Sequence, residues 1–413
     1  MTTARKVVIT GMGVVSPVGS NLDEFWESLK TGKSGIAPIA SFDTTEYKAK
    51  LAAEVKDFDP REYMEKADVL RSDRFAQLGL AAAVQAVEQS GIQGAIEPER
   101  IGVYFGTGIG GIQTMSAEHE KLAERGPRKV SPYFVPMLIA NMCAGMIAIR
   151  FNCKGAALPA VTACASGSNA IGEAVRAIRH GYADAMITGG SEAAVNPISV
   201  AGFVNMQALS TSEDPSAASL PFDARRGGFV IGEGGAALVL EEYEHAKARG
   251  ARIFAEVCGY GSTCDAYHIT APRPDAEGGT RAMQEALAES GYRGDEIVYV
   301  NAHGTGTPLN DSTETTAIKL ALGEDQARRA YVSSTKSMTG HMLGAAGAAE
   351  AIACVCALNE DIIPPTINLH EPDPVCDLNY VPNHAVQAHV DLALSNSLGF
   401  GGHNACLALR SVS

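Results

Sequence analysis

No two cysteines in this chain are spaced as Cys-x-x-Cys, although there are nine, at 143, 153, 164, 258, 264, 354, 356, 376 and 406. That absence argues against a zinc ribbon and against the disulfide framework of a small secreted fold. Cys354 and Cys356 lie in an apolar helical run, and most of the nine read as small core residues. No apolar run is expected to reach the about 18 residues that a membrane span needs. The opening MTTARKVVITGMG runs into a strand pattern with no signal-peptide core. Positive charge is short as well: Lys plus Arg is 33 against 47 for Asp plus Glu, a net charge of −14. That disfavours nonspecific nucleic-acid binding, and any acidic partner then needs a local basic patch. No low-complexity segment or long linker interrupts the chain. The expectation is a cytoplasmic protein with neither membrane nor nucleic acid as partner.

What is present is a globular composition, 46% hydrophobic and 19% charged over 413 residues, enough for about two to three domains. The 43 glycines cluster at the ends of short apolar runs, a pattern of α/β proteins with tight turns near a site. The spacing predicts strands at Val7–Thr10, Ile101–Phe105, Leu158–Ala163, Ala185–Thr188 and Ala236–Leu240. A second set follows at Ile253–Val257, Val298–Ala302, Tyr331–Ser334, Leu392–Ser395 and Ala405–Leu409. Helical patterns lie between them, as at Phe75–Ser90 and Ser166–His180. A faint repeat links the sets: VVITGMG at Val7–Gly13 matches FAEVCGYG at Phe254–Gly261. Gly232-Glu-Gly-Gly likewise matches Gly399-Phe-Gly-Gly, each before a terminal strand. Two related halves, 1–250 and 251–413, are therefore expected, with the boundary near Gly250.

Three segments carry polar chemistry. In LPAVTACASGSNAIGEAVRAIRHG, a strand ends at Ala163 and Cys164 opens a helix. A helix N-terminus lowers a thiol pKa, and the small neighbours would expose the sulfur. The residues alone leave a nucleophile and a buried turn cysteine both open. In VYVNAHGTGT, a strand delivers His303 to a Gly/Thr loop, and Asp311-x-x-Glu314 reads as the start of a capped helix. In VSSTKSMTGHMLGAAGAAE, Lys336 and His341 precede a Gly/Ala-rich helix. Its N-terminus favours a neutral imidazole at His341, and its buried Glu350 needs a partner such as Lys336. Together these form a constellation at Gly-rich strand ends. Gly106-Thr-Gly-Ile-Gly-Gly and Thr10-Gly-Met-Gly hint at dinucleotide loops but do not complete the fingerprint, and Tyr243-x-x-x-Lys247 reads as a solvated helix face.

TACASGSNA, NAHGTGTPLND, SSTKSMTGHMLGAAGAAE and SNSLGFGGHN, taken together, resemble the β-ketoacyl-[acyl-carrier-protein] synthases, with the elongating type II enzymes closest in pattern. The resemblance covers essentially the whole chain. It implies a thiolase-like fold, an α/β architecture of duplicated units in a five-layer α-β-α-β-α arrangement, and a homodimer. It implies that Cys164 takes the acyl chain from an acyl carrier protein and that His303 and His341 act on the malonyl thioester. Lys336 would set the electrostatics with Glu350 behind it, and the N–H groups of Cys164 and Phe400 would form an oxyanion hole. Phe400 would also gate an acyl pocket lined by Ile109 and Phe134. No cofactor is implied and no metal is required, although a monovalent cation near Asn301, Glu350 and Ser395 fits the pattern. Carrier docking would fall to Lys66, Arg71, Arg128 and Lys129. The chain departs from the pattern at His403, where Thr is common, and at Ala67 and Leu70, where basic residues are expected. Three other readings remain: a polyketide-pathway ketosynthase, a non-catalytic chain-length partner, which lacks the nucleophile, and a thiolase, which needs a second cysteine.

Overall fold

The computed structural model describes residues 5–412, so the first four residues of the opening segment lie outside the described residues. Ten strands make the main sheet. The first five are β1 (Val7–Val15), β2 (Ile101–Gly106), β3 (Ala157–Ala160), β4 (Ala185–Glu192) and β5 (Gly234–Glu242). The second five are β6 (Ala255–Cys264), β7 (Val298–Asn301), β8 (Tyr331–Ser333), β9 (Leu392–Gly399) and β10 (His403–Arg410). Counted outward from the middle, one side runs β1-β5-β4-β2-β3 and the other β6-β10-β9-β7-β8. Both sides are antiparallel at their first two pairings and parallel at the next two. This repeated order bears out the duplicated architecture. The strands of the two halves expected from the sequence are joined by a short antiparallel seam, Val8 opposite Glu256 and Ile9 opposite Ala255.

Five helices supply the layers: α1 (Arg74–Ser90), α2 (Ser166–Arg179), α3 (Glu277–Ser290), α4 (Pro308–Leu322) and α5 (Ala346–Glu360). Helix α1 covers the outer face of β1, β5 and β4, while α3 covers β6 and β10 with α4 beside it. Between the sheets lie α2 and α5, each touching strands of both halves. The hydrophobic residues divide accordingly into an outer cluster under α1, another under α3 and α4, and the largest around the two central helices. Central position explains composition: Ala346 to Leu358 of α5 is buried throughout, so the helix can afford no solvated face. By length and apolarity Leu343–Glu360 would suffice to cross a bilayer, which corrects the expectation that no run would. It is instead the interior of the protein.

All ten expected strands are present, but several run further than their sequence limits, and glycine is the reason. The strand predicted to stop at Thr10 continues through Gly11 and Gly13 to Val15. A Cβ at either glycine would collide with the carbonyl oxygens of Ala86 and Ala82 in α1. Gly259 and Gly261 of β6 stand in the same relation to Ala286 and Ala282 of α3. These glycines let a helix backbone lie directly on a strand. The strand expected over Leu158–Ala163 ends early, at Ala160, because Ala163 already belongs to a helical turn.

Candidate active site

Cys164 lies between β3 and α2 in a one-turn 3-10 segment, Ala163–Ala165. Ala163 has φ of +50°, a left-handed value that turns the chain sharply from strand to helix. The turn is held by Ser166, whose Oγ accepts the Thr162 N–H at 2.9 Å and lies 2.7 Å from the Ala163 carbonyl. The expectation of an exposed, acidic thiol is corrected here. Cys164 is buried, and that burial pushes its thiol up to about 12. Lys336 opposes the rise and Glu192 adds to it; the backbone N–H groups of Phe400 and Cys164, set against the sulfur, also oppose it. Small size on the neighbouring backbone serves close packing, since a Cβ at Gly399 would touch the backbone of Thr162, Cys164 and Ala165.

The second half brings the imidazoles. His303 follows β7, and its own N–H and that of Gly304 donate to the Glu314 carboxylate at 2.7 and 2.8 Å. Asp311 accepts the N–H groups of Phe222 (2.8 Å) and Gly306 (3.2 Å). Asp311 and Glu314 therefore do not start a helix as expected. That helix, α4, begins at Pro308, and both carboxylates turn back to fasten the His303 loop. His341 is fixed by its N–H to Val230 (2.7 Å), and its Nδ1 accepts the Leu343 N–H at 3.3 Å. That bond leaves Nε2 of the neutral ring as the N–H donor. The two rings stand edge to face, 5.3 Å apart. One ligand-type atom each of Cys164, His303 and His341 lies within 4.8 Å of the others. Burial first, then the Lys336 charge, holds both imidazoles well below their ordinary pKa.

Lys336 is fully buried and its ammonium contacts Glu350 Oε1, the partnership expected from the sequence. The other Glu350 oxygen, the Asn301 amide and the Ser395 hydroxyl are buried without hydrogen-bond partners, and Ser395 stands opposite Asn301 in the β9–β7 register. Phe400 forms the tip of the β9–β10 hairpin, half-buried, followed by Gly401 and Gly402 at φ of +87° and +76°. His403 starts β10, with its ring against Gly401. Ile109 is 40% exposed, on a loop whose Gly111 N–H bonds Leu138 of the short helix that begins at Phe134. Lys66, Arg71, Arg128 and Lys129 are all exposed, and none is in an ion pair among the described residues. Arg71 stacks 4.9 Å over Tyr133, which brings the 66–71 segment beside 127–134.

Sequence reasoning missed Glu192. In Gly106-Thr-Gly-Ile-Gly-Gly the backbone reads in sequence as an incomplete dinucleotide loop, apart from the pocket residue Ile109. Those N–H groups do hold an anion, but it is the protein's own: the Glu192 carboxylate occupies the cradle. Tyr243 and Lys247 stack on each other, 5.6 Å from ammonium to ring centre.

Residues 4–246 match the family described as "Beta-ketoacyl synthase, N-terminal domain", and residues 254–370 match its C-terminal domain. The chain belongs to the beta-ketoacyl synthase family. Among curated relatives it is 50% identical to the 3-oxoacyl-[acyl-carrier-protein] synthase 2 of Synechocystis sp., covering 98% of each chain. It is 48% identical to that of Vibrio harveyi over 99% of each. Among solved ketosynthase structures, a beta-ketoacyl synthase from Burkholderia phymatum superposes with a TM-score of 0.91 at 36% identity, covering 99% of this chain and 100% of that one. The ishigamide ketosynthase/chain length factor gives 0.93 at 39%, covering both chains fully. The ketosynthase fold here is thus the thiolase-like one, as the resemblance implied.

Proposed function

We propose that this ketosynthase is a 3-oxoacyl-[acyl-carrier-protein] synthase that elongates acyl chains in fatty-acid synthesis. The carrying observation is the convergence of one cysteine and two neutral imidazoles, with two backbone N–H groups at the sulfur. In the first half-reaction the Cys164 sulfur attacks the carrier thioester. The acyl–sulfur bond to the carrier breaks, and the carrier thiol leaves with the proton. The Cys164 and Phe400 N–H groups hold the oxyanion. In the second, malonyl carrier protein loses its carboxylate as CO2. The electron pair of the broken C–C bond moves to the α-carbon, and His303 and His341 N–H groups steady the enolate oxygen. The carbanion attacks the acyl-enzyme carbonyl and expels the Cys164 thiolate, giving β-ketoacyl carrier protein. Lys336 tunes this centre and Glu350 keeps its ammonium in place.

Phe400 acts as the gate, its two following glycines absorbing the backbone rotation. Ile109 and Phe134 line the acyl pocket. Lys66, Arg71, Arg128 and Lys129 receive the carrier, a role supported by their exposure and by their lack of ion pairs among the described residues; in one solved relative, described as "AntDE:AntF", an acyl-carrier protein is bound to its ketosynthase. A monovalent cation fits the unpartnered oxygens of Glu350, Asn301 and Ser395, where it would neutralise charge and stiffen the strand ends. The protein works as a cytoplasmic homodimer. Strand β3 supports the dimer, because it is an exposed sheet edge with Leu158 and Val161 half exposed beside it. The functional halves are 1–250 and 251–413.

The test is to mix the protein with acyl- and malonyl-carrier proteins and look for β-ketoacyl product and CO2. Product with wild type and none with Cys164→Ala is expected; full activity in that variant refutes the assignment. The polyketide reading draws on the ishigamide relative, and efficient turnover of simple saturated acyl carriers counts against it.

A further inference from the structure

Glu192 ends β4, is fully buried, and has no cation partner among the described residues. Its charge is instead shared among five hydrogen-bond donors on two loops. Oε1 accepts the Thr107 hydroxyl at 3.0 Å, the Ile109 N–H at 3.2 Å and the Gly110 N–H at 3.4 Å. Oε2 accepts the Gly108 N–H at 2.6 Å and the Gly344 N–H at 3.1 Å. The first loop carries Ile109. The second is the turn between His341 and α5, and its Leu343 N–H is the one that fixes the His341 ring. The two loops touch backbone to backbone, since a Cβ at Gly344 would collide with Thr107 and Gly108. A Cβ at Gly108 would stand 2.7 Å from the Glu192 carboxylate.

We infer that Glu192 is a positioning residue that clamps the Ile109 loop to the His341 turn and so sets which acyl chains Cys164 accepts. The inference rests on the acyl-enzyme reading above. A carboxylate suits the spot because its two oxygens offer about four lone-pair sites, while the Gly110 N–H is shared with the Thr107 hydroxyl at 3.1 Å; burial pushes the Glu192 carboxyl up and these donors hold it down. Cutting the clamp frees Ile109 to move outward and lengthens the pocket. Glu192 also faces the sulfur electrostatically, with Lys336, His303 and His341 the other ionisable groups around it, and its charge helps push the Cys164 thiol up.

The test compares wild type, Glu192→Gln, Glu192→Asp and Gly108→Ala. Self-acylation of Cys164 by octanoyl- and palmitoyl-carrier protein is followed by intact mass, and iodoacetamide alkylation of Cys164 is followed against pH. Glutamine presents an NH2 to N–H donors, so the palmitoyl-to-octanoyl ratio should rise about tenfold. The alkylation profile should also move to lower pH, which simple loosening does not do. Aspartate keeps the charge but is too short for both loops, so it should change the ratio and leave the pH profile of alkylation in place. Gly108→Ala displaces the carboxylate without removing it and should change the ratio; it decides the matter if Glu192→Gln fails to fold. Unchanged ratios in the folded variants overturn the inference while leaving the acyl-enzyme reading intact. Failure of wild-type Cys164 to become acylated overturns both.

Discussion

Replacing Lys336 with methionine should destabilise the protein by an amount that grows with pH. Lys336 is 1% exposed and its ammonium is the sole ion-pair partner of Glu350 among the described residues. The Glu350 carboxylate sits in α5 among buried apolar neighbours, with its second oxygen unpartnered. Removing one member of such a pair typically costs about 3–5 kcal/mol. The stranded carboxylate has one escape, which is to take up a proton. Against an ordinary Glu value of 4.5, holding that proton costs about 1.4 kcal/mol per pH unit above it. The penalty therefore has a ceiling near about 4 kcal/mol at pH 7.5 and about 1.4 kcal/mol at pH 5.5. The sign follows from proton counting. Above pH 4.5 the folded variant binds one proton more than the unfolded chain, so its stability falls as pH rises. Urea midpoints at several pH values would measure this, at one protein concentration and in a buffer whose only cation is bulky, such as tetramethylammonium. Glu350→Gln added to Lys336→Met should restore most of the loss, because no stranded charge remains. A penalty equal at pH 5.5 and 7.5, or a double variant as weak as the sum of the singles, would refute the reasoning.

His303→Ala and His341→Ala should still form acyl-Cys164, seen by intact mass, while condensation falls by about 10²–10⁴-fold. Because burial and Lys336 hold both imidazoles well below 6.5, both rings stay neutral as pH falls through that value. Malonyl decarboxylation should accordingly stay level there, and a one-proton drop centred at 6.5 would contradict it. Cys264 is the exposed cysteine, so iodoacetamide should reach it before Cys164, whose thiol lies at about 12 and whose labelling should climb steadily with pH. Prior acylation should protect Cys164 and not Cys264, as read by peptide mapping. Reversing Arg128 and Lys129 together to Glu should raise the KM for carrier-bound substrate far more than for an acyl-CoA, and added salt should narrow the difference.

The architecture was legible in the sequence because β strands and their connecting helices leave periodic signals, and because the halves repeat the same glycine spacing. What periodicity could not show was where the strands stop. Gly11, Gly13, Gly259 and Gly261 look like punctuation in one dimension, yet each lies mid-strand under a helix backbone. Cys164, His303, His341 and Lys336 were legible because each sits in a Gly- and Ser/Thr-rich segment after a strand. The buried carboxylates were harder. Glu314 and Asp311 mimic a helix start in sequence, although their partners are the loop before the helix and, for Asp311, the distant Phe222 N–H. Glu192 closes a glycine-bearing strand with no local signal, and all five of its donors lie more than eighty positions away in the chain. The thiol failed as an estimate for a related reason. A helix N-terminus was visible, but the burial that outweighs it comes from residues distant in the chain, among them Ala194, Phe229 and Leu343.

The mirrored strand order gives each position in one half an equivalent in the other. Glu192 is the eighth and last residue of β4, and Gly399 is the eighth and last of its counterpart β9. The loop after β2 presents Ile109, and the loop after the matching β7 presents His303. Strand β3 leads to Cys164, and its twin β8 leads to Lys336 and His341. One rim geometry is thus used twice, carrying Cys164 and Ile109 on one side and two imidazoles and an ammonium on the other. Neither half holds the cysteine and the imidazoles together, so the cluster exists only where the two rims meet.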